Sequence, residues 1–301
     1  MTAGRTLKRR EALWGYALLA PSLVGVGAFL VLPILVIVWL STQQWDLLGP
    51  PQPVGLDNYV DVLGDEAFRH SLLISLFFIA VVVPLQSALG LAAASLLTRG
   101  LPGSGAFRVI FALPWIAAPL ALGVVWRWIL APSNGLLNDL LGIRVEWLTT
   151  NGLALPVVAA VVVWSNVGYV TLFFAAGLLN IPEHLIEAAR LDGASPTQIF
   201  WRIKMPLLRP TLFFVLVTSA ISALQLFDQI FALTQGGPFR ITDTAVLGET
   251  DVVAMRIYQE AFGSFEFGRA SAMALVLFAV IIVITLAQRL YFRKRTTYDL
   301  S

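Results

Sequence analysis

Residues 71–97 read SLLISLFFIAVVVPLQSALGLAAASLL, twenty-seven positions without one charged side chain. A helix needs ~20 apolar residues to cross ~30 Å of hydrocarbon. In lipid every backbone N–H and C=O must be paired within the segment, so a helix is the expected state. Working outward in both directions, five more such stretches occur, at 13–40, 109–131, 153–179, 210–233 and 270–288. The six together hold 148 residues and two charges, Arg127 and Asp228, while the other 36 charges crowd into the remaining 153 residues. The expected fold is an all-α integral membrane protein of six transmembrane helices, with residues 1–301 forming one membrane domain. Pro21, Pro33, Pro84, Pro114, Pro119 and Pro156 fall inside or near the starts of these stretches, where neighbouring helices tolerate a kink.

The rest of the composition excludes other classes. Of the 301 residues 58% are hydrophobic and only 13% charged, with a mean hydropathy of +0.81. An ordinary soluble chain is about 25% charged. Twenty basic against 18 acidic residues leave no concentrated basic face, so nucleic acid is not an expected partner. Without cysteine there are no disulfides, thiol nucleophiles or thiolate clusters. The two histidines, His70 and His184, are far apart in sequence and do not suggest a metal site. The first stretch follows Arg5, Lys8, Arg9 and Arg10, as a signal peptide would, but it is longer than an h-region of ~7–15 residues and no small-residue cleavage site follows. It reads as a retained helix.

Six spans put both termini on one side. That side carries 14 of the 20 basic residues, including Arg99, Arg108, Arg190, Arg202, Lys204, Arg209, Lys294 and Arg295. The positive-inside bias makes it the cytoplasmic side, together with the 98–108 and 180–209 loops. Trp39, Trp45, Trp126, Trp128 and Trp147 then gather near the outer interface as an aromatic belt. Arg127, between two of them, is read as snorkelling to that interface. Acidic residues such as Asp46, Asp57, Asp61, Glu146, Glu249 and Asp251 collect in the outer loops. They form either a solvated surface or a docking face for an extracytoplasmic partner.

The 180–209 loop reads NIPEHLIEAARLDGASPTQIFWRIKMPLLR. Pro182 suits a first helical position, and Glu183 complements the helix dipole. Gly193 is placed to end that helix in the left-handed conformation. Ser195, Pro196 and Gln198 form a capping-box start for a second helix, which Met205-Pro206 is expected to stop. Ala188 and Ala189 carry no bulk, so another protein's groove has room to approach. A DNA-reading helix–turn–helix and a purely structural connection are the competing readings; the first lacks a basic recognition helix and is tethered to the membrane at both ends.

Glu187-Ala188-Ala189, three residues, Gly193, nine residues, then Ile203-Lys204-Met205-Pro206 resembles the EAA loop of binding-protein-dependent ABC importer permeases. The pattern of that family is E-A-A-x3-G-x9-I-x-L-P, and only Met205 departs from it, with apolar volume retained. Gly55-Leu56-Asp57-Asn58-Tyr59-Val60, Phe227-Asp228-Gln229, Thr234-Gln235-Gly236-Gly237-Pro238, Tyr258-Gln259-Glu260-Ala261-Phe262 and Phe267-Gly268 are similar to segments of the MalF/UgpA-type sugar permeases. The resemblance covers nearly the whole chain. It implies a type I ABC importer permease in a bacterial plasma membrane, moving a sugar (an amino sugar or oligosaccharide among them) by alternating access. It also implies four kinds of partner: a second homologous permease, two ATPase subunits, an extracytoplasmic binding protein and membrane lipid. By position, Glu187, Ala188, Ala189 and Gly193 are then contact and turn residues of the coupling helices, with Ile203 and Pro206 closing the motif. The chain has no G-x-x-x-x-G-K-[ST] phosphate loop, so ATP and Mg belong to the partner ATPases and this chain is not expected to be an enzyme.

Polar residues inside the spans are candidates for the substrate path. Thr218, Ser222, Gln225 and Gln229 share a ~60° arc if the fifth span is one helix. Asp228 borders them, and a carboxylate there costs ~2.5–3.5 kcal/mol on insertion scales. It reads either as a hydroxyl-binding or gating group, or as a hydrogen bond between helices. In the fourth span Ser165, Asn166 and Tyr169 lie beside Trp164, where ring faces and amides suit a sugar. The same residues also suit helix–helix adhesion. A secondary active transporter for a small polar solute stays open as the alternative function, although it would need coupling-ion carboxylates and often shows inverted repeats.

Overall fold

The computed structural model describes residues 3–100 and 102–293, with side chains from Trp14 on. Lys294 and Arg295, counted above on the basic side, lie outside the described residues. The chain forms two compact units: one runs up to Val62 and adds Glu260–Leu275, and the other comprises Leu63–Gln259 and the chain from Val276 on.

In the first unit α1 (Ala3–Val26) passes through a π turn at Gly27–Val31 into α2 (Leu32–Leu40). Pro33 follows that turn; it has no N–H to donate, and the wider turn accommodates the gap in the ladder. None of the apolar window within Trp14–Leu40 is buried. A short antiparallel pair, β1 (Gln43–Gln44) with β2 (Gln52–Pro53), precedes α3 (Asp57–Gly64). Asn58 pins this hairpin, its amide donating to the Ser41 and Gln43 carbonyls at 2.9 Å each. The Gln43 carbonyl also lies so close to Gly268 that any side chain there would overlap it.

The second unit holds the core. Asp65 caps α4 (Glu66–Leu97), accepting from the Ala67 N–H at 2.8 Å. Next come α5 (Ser104–Ile116), α6 (Pro119–Ile129), α7 (Leu136–Leu141) and α8 (Ala154–Leu179). α4 and α8 pack along their length, burying Phe78, Val82, Val158 and Val162 between them and their neighbours. Gly168 lets α5 approach α8 until a Cβ would overlap the Phe111 carbonyl, the small-residue packing that membrane helices favour. After α9 (Glu183–Leu191) and α10 (Pro196–Ile199), a π turn at Phe200–Lys204 leads to α11 (Met205–Leu207), α12 (Arg209–Leu224) and α13 (Asp228–Leu233). The antiparallel pair β3 (Phe239–Ile241) and β4 (Val246–Gly248), α14 (Val253–Tyr258) and α15 (Phe267–Arg293), whose start up to Leu275 belongs to the first unit, are the last described elements.

Among the described residues four helices are long and apolar enough to cross a membrane, or up to six if each of two bent pairs, α5 with α6 and Pro196–Leu207 with Arg209–Leu224, is one span. The third apolar stretch, expected as one helix, bends by 96° between Ile116 and Pro119. Pro119 is the cause: it disfavours helical geometry in the preceding residue, and Ala118 takes ψ 124°. The fifth stretch is interrupted too. α12 stops at Leu224, and helix resumes only at Asp228.

Candidate functional site

The two interruptions meet at one cavity. It has a volume of about 420 Å³ and is lined by Gln86 of α4, Trp115 and Pro119 either side of the first break, Asn166 and Tyr169 of α8, and Ser219, Ser222, Gln225, Phe227, Asp228 and Gln229 around the second. Broken helices at membrane depth are tolerated where they line a cavity, because polar groups there can satisfy the freed backbone. Asp228 opens α13, where its negative charge complements the helix N-terminus. Tyr169 packs at a tilt against Trp115, with ring centroids 4.9 Å apart, and against Phe173 at 4.7 Å; Tyr169 and Trp115 give the cavity aromatic faces beside its amides and hydroxyls.

Ser222, Gln225, Asp228 and Gln229 thus lie together, but not on the continuous helical arc expected for them. The turn at Gln225–Phe227 re-aims the last two. Thr218 falls outside the lining and donates to the Phe214 carbonyl at 2.9 Å. On α8, Asn166 and Tyr169 face the cavity, whereas Ser165 donates to the Val161 carbonyl at 2.9 Å. Trp164 lies about 160° around the helix from Asn166. It meets Trp126 edge-on at 5.2 Å and lines a separate apolar groove. Gln86 and Ser219 were not singled out from the sequence. Their Oε1 and Oγ atoms are buried without a hydrogen-bond partner among the described residues. Gln86 had a signal, being the lone amide in residues 71–97.

At the other functional segment, α9 begins at Glu183 with Pro182 as its N-cap, one residue earlier than expected for the proline. Gly193 ends the helix at φ +79°, with Gly193 N–H donating to the Arg190 carbonyl at 3.0 Å and Ala194 N–H to Ala189 at 2.9 Å. This is a Schellman turn. The capping box is complete: the Ser195 hydroxyl accepts from Gln198 N–H at 3.3 Å, and Gln198 Oε1 accepts from Ser195 N–H at 2.8 Å. Pro206 does not stop the second helix. The π turn before it absorbs the missing N–H, and the chain bends by 67° at Leu208 instead. Glu187, Ala188 and Gly193 are exposed, Ala189 is buried, and Ile203 and Pro206 are half-buried. Leu191 and Trp201, not singled out above, stand out as 90% and 61% exposed apolar side chains beside the turn.

The outer-loop acids divide. Asp251 is fully buried, paired with Arg256 at 2.9 Å, and accepts from the Ser71 hydroxyl at 3.1 Å. Burial pushes its carboxyl above the ordinary aspartate range, while Arg256, Ser71 and His70 pull the other way. Glu249 accepts from the Gly152 and Leu155 N–H groups at 2.7 and 3.2 Å. Glu66 accepts from the Thr244 hydroxyl. Asp251 is therefore a buried structural anchor, and Glu249, half-buried, ties its loop to the start of α8.

A family model described as the binding-protein-dependent transport system inner membrane component matches residues 16–297. The trehalose/maltose transport system permease protein MalF of Thermococcus litoralis is 35% identical over 285 residues, covering 93% of this chain and 94% of its own. The sn-glycerol-3-phosphate transport system permease protein UgpA of Agrobacterium fabrum is 33% identical over 288 residues, with 94% and 96% covered. A chain of the bacterial alginate ABC transporter, solved in complex with an alginate pentasaccharide-bound periplasmic protein, superposes with a TM-score of 0.82 at 23% identity, covering 98% of both chains. That likeness shows the type I ABC importer permease fold. The family match and the relatives carry the assignment further: the chain belongs to the inner-membrane permease components of binding-protein-dependent transport systems.

Proposed function

We propose that this permease carries a sugar into the cytoplasm through the cavity at the two helix breaks. Family membership sets aside the secondary-transporter alternative. The observation that supports the sugar reading is the cavity lining, in which the Tyr169 and Trp115 rings lie beside Asn166, Gln86, Ser219, Gln225 and Asp228. A sugar ring offers apolar C–H faces to such rings and hydroxyls to such amides and carboxylates. Of the relatives, one is named for trehalose and maltose, which supports the sugar reading, while another is named for sn-glycerol-3-phosphate, a phosphorylated polyol. A second homologous permease supplies the other half of the pathway.

In the same reading the chain crosses the membrane six times, with α5 and α6 together the third span and α12 with α13 the fifth, and both termini are cytoplasmic. The 183–206 segment is then the coupling element seated on a separate ATPase subunit that holds ATP and Mg. Glu187, Ala188, Leu191 and Trp201 form its exposed contact face, and the Gly193 turn sets the angle between its two helices. A loaded extracytoplasmic binding protein delivers the sugar. The test is uptake by vesicles containing the whole assembly: ATP-dependent, binding-protein-dependent, vanadate-sensitive accumulation of a saccharide. Accumulation of a non-saccharide solute to the exclusion of sugars would overturn the substrate assignment.

A further inference from the structure

We propose that Leu47 and Leu48, together with Phe262 and Phe265, form an anchor that enters the boundary between lipid headgroups and acyl chains. All four side chains are exposed, and Leu48 is 91% exposed. All four belong to the first unit. The inference rests on the proposed reading of α1–α2 and α15 as membrane spans; the topology adds only which leaflet is met.

Trp45 fixes the depth. Its ring meets that of Trp39, in the last turn of α2, edge-on with centroids 6.1 Å apart. Its carbonyl accepts from the N–H of Phe267, the first residue of α15, at 3.1 Å. The end of one membrane-length helix and the start of another therefore converge on this residue. The headgroup layer adds only ~5–8 Å to each side of the hydrocarbon core. Tryptophan favours that layer because its ring is apolar and its N–H polar. The loop after Trp45 does not stand away from it. The indole N–H donates to the Gly49 carbonyl at 2.6 Å, which closes residues 45–49 onto the ring. Asp46 Oδ1 accepts from the Leu48 and Gly49 N–H groups at 2.9 and 3.0 Å. The Gly49 and Leu48 N–H groups hold the Asp46 carboxyl below the ordinary aspartate range, so it stays charged and keeps the loop from sinking into the acyl core.

Leu47 and Phe265 take φ of +63° and +59°, a left-handed conformation that bulky side chains disfavour. At both places a strained backbone carries an apolar side chain that is turned outward. In water that arrangement is unfavourable twice over. At a lipid boundary, burial of the side chains offsets the strain. Phe262 packs edge-on against Phe267 at 6.0 Å, which holds the second pair beside the start of α15.

The test uses the assembled transporter in vesicles, with a dansyl side chain installed at Leu48. Lipids brominated near the headgroup end of their acyl chains should quench its emission about twofold more than lipids brominated at the chain ends, and more than iodide present on both sides of the vesicle. Dominant quenching by iodide would overturn the proposal, since Leu48 would then face water. Strongest quenching from the chain ends would place Leu48 in the acyl core and overturn the boundary assignment. A photoreactive side chain at Phe265 that captures the binding protein or the second permease, and no lipid, would overturn it too. Binding-protein-stimulated ATP hydrolysis is measured in the same vesicles. Its absence from the parent assembly would count against the transport reading, whereas the quenching decides the anchor whichever way hydrolysis falls.

Discussion

Asp228 and Asp251 are the same side chain put to opposite uses. Asp251 is fully buried, paired with Arg256 and Ser71, and ties the loop after α13 to α4. Asp228 is exposed in the 420 Å³ cavity with no side-chain hydrogen bond or ion pair among the described residues. Around Asp251 the neighbours are buried and mostly occupied: Thr250 donates to the Gly237 carbonyl at 2.7 Å, and Ser75 accepts from the Val253 N–H at 3.0 Å, although Asp251 Oδ1 and Arg256 Nε have no hydrogen-bond partner among the described residues. Around Asp228, Ser222 and Gln225 are likewise exposed in the cavity. Polar groups that satisfy one another hold a fold together, whereas polar groups left open around a cavity are available to a solute.

Mutations can break this contrast. The largest effect is expected from Arg256→Met, which strands a buried carboxylate and should cost about 3–5 kcal/mol of stability. The pH dependence has a definite sign. The folded Asp251 carboxyl lies above its ordinary value of 3.8, so the cost of ionising it is absent below that value and grows as pH rises through the folded value. The variant should therefore lose most stability at neutral and higher pH and recover on acidification, as read by thermal unfolding of the purified assembly across pH. A deficit that deepens on acidification would contradict the buried-pair account.

Asp228→Asn should do the reverse: unfolding within about 0.5 kcal/mol of the parent, but apparent affinity for the transported sugar about tenfold weaker, the scale of one hydrogen bond to a charged group. If its unfolding shifts as far as that of Arg256→Met, the two aspartates are not different in kind. Gly193→Val should cost about 1–2 kcal/mol, because a side chain is forced into the left-handed region. Uptake should fall relative to ATP hydrolysis when both are measured in the same vesicles. Ser195→Ala removes one half of the capping box and should cost about 1 kcal/mol of local helix stability. Hydrogen exchange at Gln198 would show it, with little change in uptake.

The 180–209 segment was legible in detail because its devices are local. Gly193 and the Ser195–Gln198 box act within a few residues, and both took the expected geometry. Pro206 did not, since its expected stop was displaced by a π turn that required the rest of the helix to be present. The cavity was legible only in part. Its polar residues stood out against apolar sequence, but Trp164 lines the apolar groove on another face of α8, and Gln86 enters from a helix remote in sequence. The outer acids were least legible, because composition cannot distinguish Asp251 in its buried pair from an exposed neighbour.

By itself the sequence determined a helical membrane protein and the Gly193 turn of the 180–209 loop. Hydrocarbon demands long apolar segments with internally paired backbones, and caps and glycine turns are satisfied within the segment that carries them. Only the tertiary structure decided where the helices open. Pro119 announces one break, but no proline or glycine marks Gln225–Phe227. There the last turn of α12 and the start of α13 are held by neighbours, with Ala232 packed on Gly123 of α6 and the freed polar groups turned toward a shared cavity. Such a break depends on the packing of four helices at once, and no single stretch of sequence contains it.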